Sequence, residues 1–290
     1  MPATLHTASQ TRRLALLALA SLPLGLSLPR RAIASETPLR IGLTPVFLDD
    51  RVGVLERWRR YIEVRMDRPV QFVQRGSYRD VLRLVVDGDT DLAWLCGFPY
   101  WRNRDRLKLV ATPVFRGEPL YRAYLIRNHE HVEIDSLGTL RGQVFAYADP
   151  DSNSGFLYVQ HRLRQAGQIP AEFFGRTFFT WGHRRVVEAV AVNLAQGGAV
   201  DGYVWEALAQ THPELTSATR IIEQSPPFGF PPIVASSRLP PVDLAAARAL
   251  LLGMHDDAEG RELLNLLVLD GFTLAPPSLY DSIGAMADAP

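Results

Sequence analysis

The stretch LRIGLTPVFLDDRVGVLERWRRYIEVRMDRPVQFVQRGSYRDVLRLVVDGDTDLAWL, residues 39–95, switches repeatedly between strand and helix periodicity, and this decides the fold class. Leu39 to Thr44 alternates and runs into Pro45, as a strand entering a loop does. Val54, Leu55, Trp58, Tyr61, Ile62 and Met66 then share one helical face, with Glu56, Arg59, Arg60 and Glu63 opposite. Val70 to Gln74 returns to strand period, Tyr78 to Val86 suits a helix, and Asp91 to Leu95 reads as a short buried strand. The order β-α-β-α-β builds a parallel sheet with helices packed on it.

Working outward, a second unit of the same kind follows the strand-like Leu120 to Ile126. Its expected strands are Val144 to Tyr147, Phe173 to Thr180 and Ala199 to Val204, and its helices are Gly155 to Gln165 and Arg184 to Leu194. Pro231 to Ala235 reads as a returning strand, followed by helices at Leu244 to Met254 and Ala258 to Val268. Ordered structure is expected from near Pro38 to roughly Leu279. Two α/β units joined by two extended crossings predict two lobes with a hinge, and ligand pockets form readily between such units.

The amino end stands outside this pattern. Arg12 and Arg13 precede the apolar run Leu14 to Leu26, and Ala32-Ile33-Ala34 supplies a small-residue cleavage site, as in a secretory signal peptide. Pro23 and Gly25 interrupt the run, which is shorter than the roughly 20 apolar residues of a spanning helix. The expectation is a signal peptide over residues 1–34 and a mature chain from Ser35. Paired arginines fit either general secretory or twin-arginine export. The whole chain has 31 basic and 31 acidic side chains; removing residues 1–34 takes away four arginines and no acid, leaving 27 against 31 and a formal charge of −4. Such a balance gives no basic stripe for nucleic acid. The single cysteine, Cys96, has no disulfide partner within the chain and lies far from the cleavage site where a lipid would be attached.

The stretch richest in chemistry is Ala148-Asp149-Pro150-Asp151-Ser152-Asn153-Ser154-Gly155-Phe156, between a strand and a helix. Ser152, Asn153 and Ser154 offer side-chain donors where the first helical turn leaves backbone N–H groups free and carries partial positive charge. Such an end can hold a phosphate-like anion, while the simpler reading is that Ser152 or Ser154 caps the helix.

These residues, in the pattern D-P-x-S-x-S-G-[FY], resemble the anion-gripping turn of the phosphonate-binding family of periplasmic solute-binding proteins. Other pieces follow in the same order: Ser77-Tyr78, Asp91 to Tyr100, Tyr121, His183 with Glu188 to Ala191, Val200 to Glu206, and Ser225 to Pro232. The resemblance spans essentially the mature chain and implies a type II periplasmic-binding-protein fold, α/β, with two lobes joined by a two-strand hinge. Lobe one is expected from residues 36–122 plus 233–290, and lobe two from 123–232. It further implies that Tyr78, Ser152, Asn153, Ser154 and His183 surround an anionic head group, with Tyr121, Asp201 and Tyr203 lining the rest of the cleft. For Tyr78 and Tyr121 the alternative is core packing, and for His183 a solvated helix start.

Departures from the family bear on the ligand. Members that bind aminophosphonates carry a carboxylate where, counting without gaps from His183, this chain has Tyr203, although Asp201 lies two residues earlier. Asn193 stands where relatives often have a glycine turn. Some relatives bind arsenite through a cysteine-containing pocket, and a thiol is a soft ligand suited to it, but a lone Cys96 at the end of a buried strand also fits a small core residue. The chain has no G-x-S-x-G elbow, no G-x-x-x-x-G-K-[ST] loop and no H-E-x-x-H pair. His129-Glu130-His131, with Glu133 and Asp135, reads as a polar surface turn better than as a metal site. The resulting expectation is a monomeric periplasmic protein, not an enzyme and without cofactor or metal. It would capture a phosphonate, phosphite, phosphate or related oxyanion for an ABC permease; the alternative is an oxyanion sensor, arsenite included, feeding a histidine kinase.

Overall fold

Strand β1 (Leu39–Leu43) is an interior strand of the first sheet, and only Arg40 in it is not buried, as suits a strand covered on both faces. The chain continues through α1 (Val52–Met66), β2 (Val70–Gln74), α2 (Tyr78–Asp87), β3 (Leu92–Trp94), α3 (Gly97–Arg102) and β4 (Leu107–Val114). Next come β5 (Leu120–Tyr121), β6 (Ala123–Asn128), β7 (Val144–Tyr147), α4 (Tyr158–Gln165), α5 (Pro170–Phe173) and β8 (Arg176–Phe179). Then follow α6 (His183–Ala191), β9 (Gly197–Asp201), α7 (Gly202–Thr211), α8 (Pro213–Ser217) and β10 (Thr219–Gln224). The chain closes with β11 (Phe228–Gly229), β12 (Ile233–Ser236), α9 (Pro241–Leu252), α10 (Ala258–Leu267), β13 (Gly271–Thr273) and α11 (Asp281–Ala287). This computed structural model describes residues 37–45 and 52–289, all within the unit Ala34–Pro290, so the expected signal peptide lies outside the described residues.

Two mixed sheets result. The first has the order β13-β4-β12-β3-β1-β2, with β1 parallel to β2 and β3, and β12 antiparallel to β3 and β4. The second has the order β10-β6-β9-β7-β8, with β7 parallel to β8 and β9, and β6 antiparallel to β9 and β10. Between them the chain passes twice, and the two passages pair as the short antiparallel ladder β5–β11, Tyr121 opposite Phe228 and Leu120 opposite Gly229. Loops after the parallel strands of both sheets carry the polar residues singled out above, in agreement with the rule that α/β ligand sites form at the carboxyl ends of such strands.

Several expected elements differ. The strand expected over Leu120 to Ile126 breaks at Arg122, whose carbonyl accepts the Gly202 N–H (2.8 Å), so its first part joins the crossing ladder and its second the sheet. The strand expected over Phe173 to Thr180 begins only at Arg176, because Pro170 starts a helical turn that buries Phe173. The strand expected over Ala199 to Val204 ends at Asp201, whose carboxylate caps α7 by accepting the Tyr203 and Val204 N–H groups (2.9 and 3.4 Å). Tyr203, Val204 and Trp205 are therefore helical. Beyond the expected end near Leu279, α11 continues to Ala287 and packs on α3.

In the second sheet β6 is buried at five of its six positions, Leu125 and Ile126 completely. Leu125→Ala should destabilise the protein by about 2–5 kcal/mol, read by urea denaturation. A loss below about 1 kcal/mol would show that the sheet collapses around the missing side chain.

Candidate anion site

Ser152, Asn153 and Ser154 are completely buried, and the helix they open begins not with an α-turn but with a π-turn over Asn153–Leu157. The wide turn follows from Ser152, whose carbonyl accepts the Leu157 N–H (3.0 Å) while its hydroxyl accepts the Gly155 N–H (3.0 Å). Ser152 is thus the cap, and Ser154 is left free of that duty. Gly155 has to be glycine: a Cβ there would lie 2.4 Å from the Ala148 Cβ and 3.0 Å from the His183 Cε1. The helix start is pressed directly against the strand end and the imidazole.

Asn153 connects this turn to the first sheet. Its N–H points at the Cys96 sulfur (3.3 Å) and its Nδ2 donates to the Tyr121 hydroxyl (2.9 Å). Tyr78, at the start of α2, is fully buried, with its ring 6.4 Å from that of His183. Helix α2 is itself fixed by Ser77, whose hydroxyl accepts the Asp80 N–H (3.2 Å) and donates to the Asp80 carboxylate (2.7 Å). Three buried oxygens in this cluster, Tyr78 Oη, Asn153 Oδ1 and Ser154 Oγ, have no hydrogen-bond partner in the protein. Native proteins leave few buried polar atoms unpaired, so three in a single cluster make it the candidate site.

The electrostatics favour neutral donors. Burial holds His183 down at about 3, and its Nδ1 accepts the Asp201 N–H (3.1 Å), so the ring stays neutral with its proton on Nε2. Burial pushes the Tyr78 and Tyr121 phenols well up, which keeps both protonated. Burial also raises the Cys96 thiol to about 12, opposed by the Asn153 and Phe98 N–H groups, so it is a neutral SH. Asp201 is raised to about 7 by burial, partly offset by its two capping N–H groups.

The structure therefore brings Tyr78, Tyr121, Asn153 and Ser154 together, with Ser152 holding the turn, His183 against it and Asp201 behind His183. Tyr203 is placed differently. Its hydroxyl donates to the Leu267 carbonyl and its ring packs on Phe115 and Phe230, beside a recess of about 170 Å³ that Tyr121 also lines. Asp149 joins the cluster without having been singled out: one oxygen accepts the Tyr78 N–H (3.0 Å) and the other the Asp151 N–H (2.7 Å). Asn193 takes the left-handed conformation (φ 58°) that a glycine turn would, and its side chain accepts from His131 Nε2 (2.9 Å). The His129–His131 segment binds its own neighbours, and among the described residues no group of three or more His, Cys, Asp or Glu is arranged to hold a metal ion.

A two-sheet α/β protein with buried polar side chains clustered at the carboxyl ends of its strands has the type II periplasmic-binding-protein fold. Residues 41–280 match the family described as "ABC transporter, phosphonate, periplasmic substrate-binding protein", and the chain belongs to it. The phosphate-import protein PhnD of Mycolicibacterium smegmatis is 24% identical over 158 residues, 51% of this chain and 48% of the relative. The chain thus spans about half the length of the curated relative it matches. A binding-protein component of an ABC phosphonate transporter from Pseudomonas aeruginosa superposes with a TM-score of 0.80 at 21% identity, covering 87% of this chain and 86% of the other. PhnD1 of Prochlorococcus marinus, solved with methylphosphonate, gives 0.78 at 19% identity, covering 86% and 96%. At these identities the structural likeness is one of fold. Among the described residues no helix is long and apolar enough to cross a membrane.

Because the Asp201 carboxyl rises from 3.8 to about 7 on folding, the folded chain holds that proton more tightly than the unfolded one. Its contribution is greatest in acid and is lost as pH climbs from about 4 to about 7. Asp201→Asn keeps a capping oxygen but has no such proton. The Tm of the wild type should therefore fall relative to the variant over that range and run parallel above about pH 8. A constant difference throughout would show that Asp201 is ionised in the folded protein at all these values.

Proposed function

We propose that this protein captures a small oxyanion of the phosphonate, phosphite or phosphate class in the periplasm and delivers it to an ABC permease. The observation that carries this reading is the set of unpartnered buried oxygens on Tyr78, Asn153 and Ser154 around a helix start. Hydroxyl and imidazole donors and the first-turn amides replace the water that an oxyanion loses on entry, and the helix start adds its dipole. Asn153 presents an acceptor to a guest that retains a proton; a half-turn of its amide exchanges the two ends and presents a donor. Tyr121 and His183 complete the surround, Ser152 holds the turn, and Asp201 orients His183 through its backbone. Tyr203 borders the site by fixing α7 against α10.

In this reading lobe one comprises residues 36–122 and 233–290, lobe two comprises 123–232, and the β5–β11 ladder is the hinge. The anion enters an open form and shifts the population toward the closed one, with no bond made or broken. Residues 1–34 serve as a signal peptide, cleaved after Ala34. The sensor alternative is not favoured: the family and the relatives above are transport components, and Cys96 is a protonated thiol receiving the Asn153 N–H.

Thermal unfolding with methylphosphonate, phosphite, phosphate, sulfate and arsenite tests this directly. A midpoint that rises with the concentration of at least one phosphorus oxyanion is expected. Calorimetry should show Ser154→Ala weakening that ligand by about 1.5–3 kcal/mol, the worth of a hydrogen bond to a charged group. Failure of all three phosphorus compounds to stabilise the protein, or their turnover, would remove the proposal. Stabilisation by arsenite alone, lost in Cys96→Ser, would restore the sensor.

A further inference from the structure

Asp149 is 1% exposed, and its two carboxylate oxygens are both occupied by backbone N–H groups, one from each side of the site. Oδ1 accepts from Asp151 in its own loop, after β7 of the five-stranded sheet. Oδ2 accepts from Tyr78, 71 residues away, in the first turn of a helix packed on the six-stranded sheet. The Asp149 carbonyl also accepts the Ser152 N–H (2.9 Å), which anchors the turn bearing Asn153 and Ser154. A single residue therefore holds the anion turn by its main chain and Tyr78, with its unpartnered hydroxyl, by its side chain.

We propose that Asp149 is a positioning residue that latches the two sheets together, so that closing over the anion is driven partly by a carboxylate built into the protein. The latch rests on the functional reading above. The first turn of α2 offers free N–H groups and partial positive charge, and a carboxylate is the group that such an end favours. Burial, with the Asp151 carboxylate alongside, holds the Asp149 carboxyl above its ordinary range, and the Tyr78 and Asp151 N–H groups together with the nearby Arg79 guanidinium offset part of that rise. When the sheets part, the Tyr78 N–H and Asp149 oxygen return to water, and the site loses the alignment of the Tyr78 hydroxyl with the Ser154 turn. Ligand affinity then reflects the fraction of closed protein as well as the ligand's own contacts. A second contact between the same segments, Arg79 with Asp151 at 3.2 and 3.4 Å, lies at the rim with the arginine largely exposed, where ion pairs contribute little.

The test uses the mature protein in a Cys96→Ser background, with spin labels on Val64→Cys and Val192→Cys, both on exposed helical faces or ends (77% and 73% exposed). Methylphosphonate is the probe. Asp149→Asn has one acceptor where two are needed, and should raise the Kd roughly 10- to 100-fold through faster dissociation, the range expected for one hydrogen bond to a charged group. At concentrations that saturate both proteins it should also enlarge the long-distance component between the labels. Arg79→Ala should change the Kd by less than about fivefold. Equal Kd values with equal distance distributions overturn the latch. A raised Kd with unchanged distances does so too, since it would make Asp149 a support of the turn alone. Should the wild type bind no anion, the functional reading fails, and the distances are compared without ligand: loss of the short-distance component in Asp149→Asn still supports the latch, and its retention overturns it. Should Asp149→Asn not fold, hydrogen exchange at the Tyr78 amide of the wild type decides. Protection that rises with methylphosphonate supports the latch, and protection indifferent to it overturns it.

Discussion

Burying a polar turn is costly unless its donors and acceptors are matched, and that requirement ties the two sheets of this protein together. The turn at Ser152–Ser154 cannot satisfy itself. Its own helix engages the Ser152 hydroxyl, Cys96 and Tyr121 take up Asn153, and the Asn153 Oδ1 and Ser154 Oγ oxygens remain buried without a partner. Both sheets contribute because the loops involved all follow strands whose carboxyl ends meet there. The arrangement of strands comes first, and the chemistry of the site is a consequence of it.

The character of the site is set by neutral groups. An imidazole whose acceptor nitrogen is engaged by the Asp201 amide and whose proton affinity is suppressed by burial cannot answer an anion with a full charge. The phenols and the thiol are likewise held in their protonated forms. Recognition by such a set depends on geometry and on desolvation more than on long-range attraction. That suits discrimination among anions of similar charge and different shape.

Much of the architecture could be read from the sequence because its signals are local. The β1–α1–β2–α2–β3 run follows the expected spans closely, since each segment has a clean period and Pro45 and Gly88 mark its ends. The failures are local conflicts decided by tertiary contacts. Tyr203, Val204 and Trp205 favour a strand by propensity, yet Asp201 and Gly202 start a helix whose tyrosine reaches Leu267, a residue 64 positions away. Phe173 and Phe174 look like strand residues but follow Pro170, which opens a helical turn. At the site, the serine and asparagine turn was legible from its composition and its place between strand and helix. The part played by Asp149 was not, because a carboxylate beside a proline carries no mark of the distant amide it will meet.

The ladder formed by β5 and β11 is only two residue pairs long, and one of its members, Tyr121, also touches Asn153. If the ladder is the axis of motion, the phenol sits almost on the fulcrum and the Arg79–Asp151 pair at the tip of the lever. A small rotation then displaces the tip far more than the fulcrum. Separation would begin at the outer lip and travel inward, leaving Tyr121 and Asn153 the last to part and the first to meet, a toehold from which each return stroke starts in register.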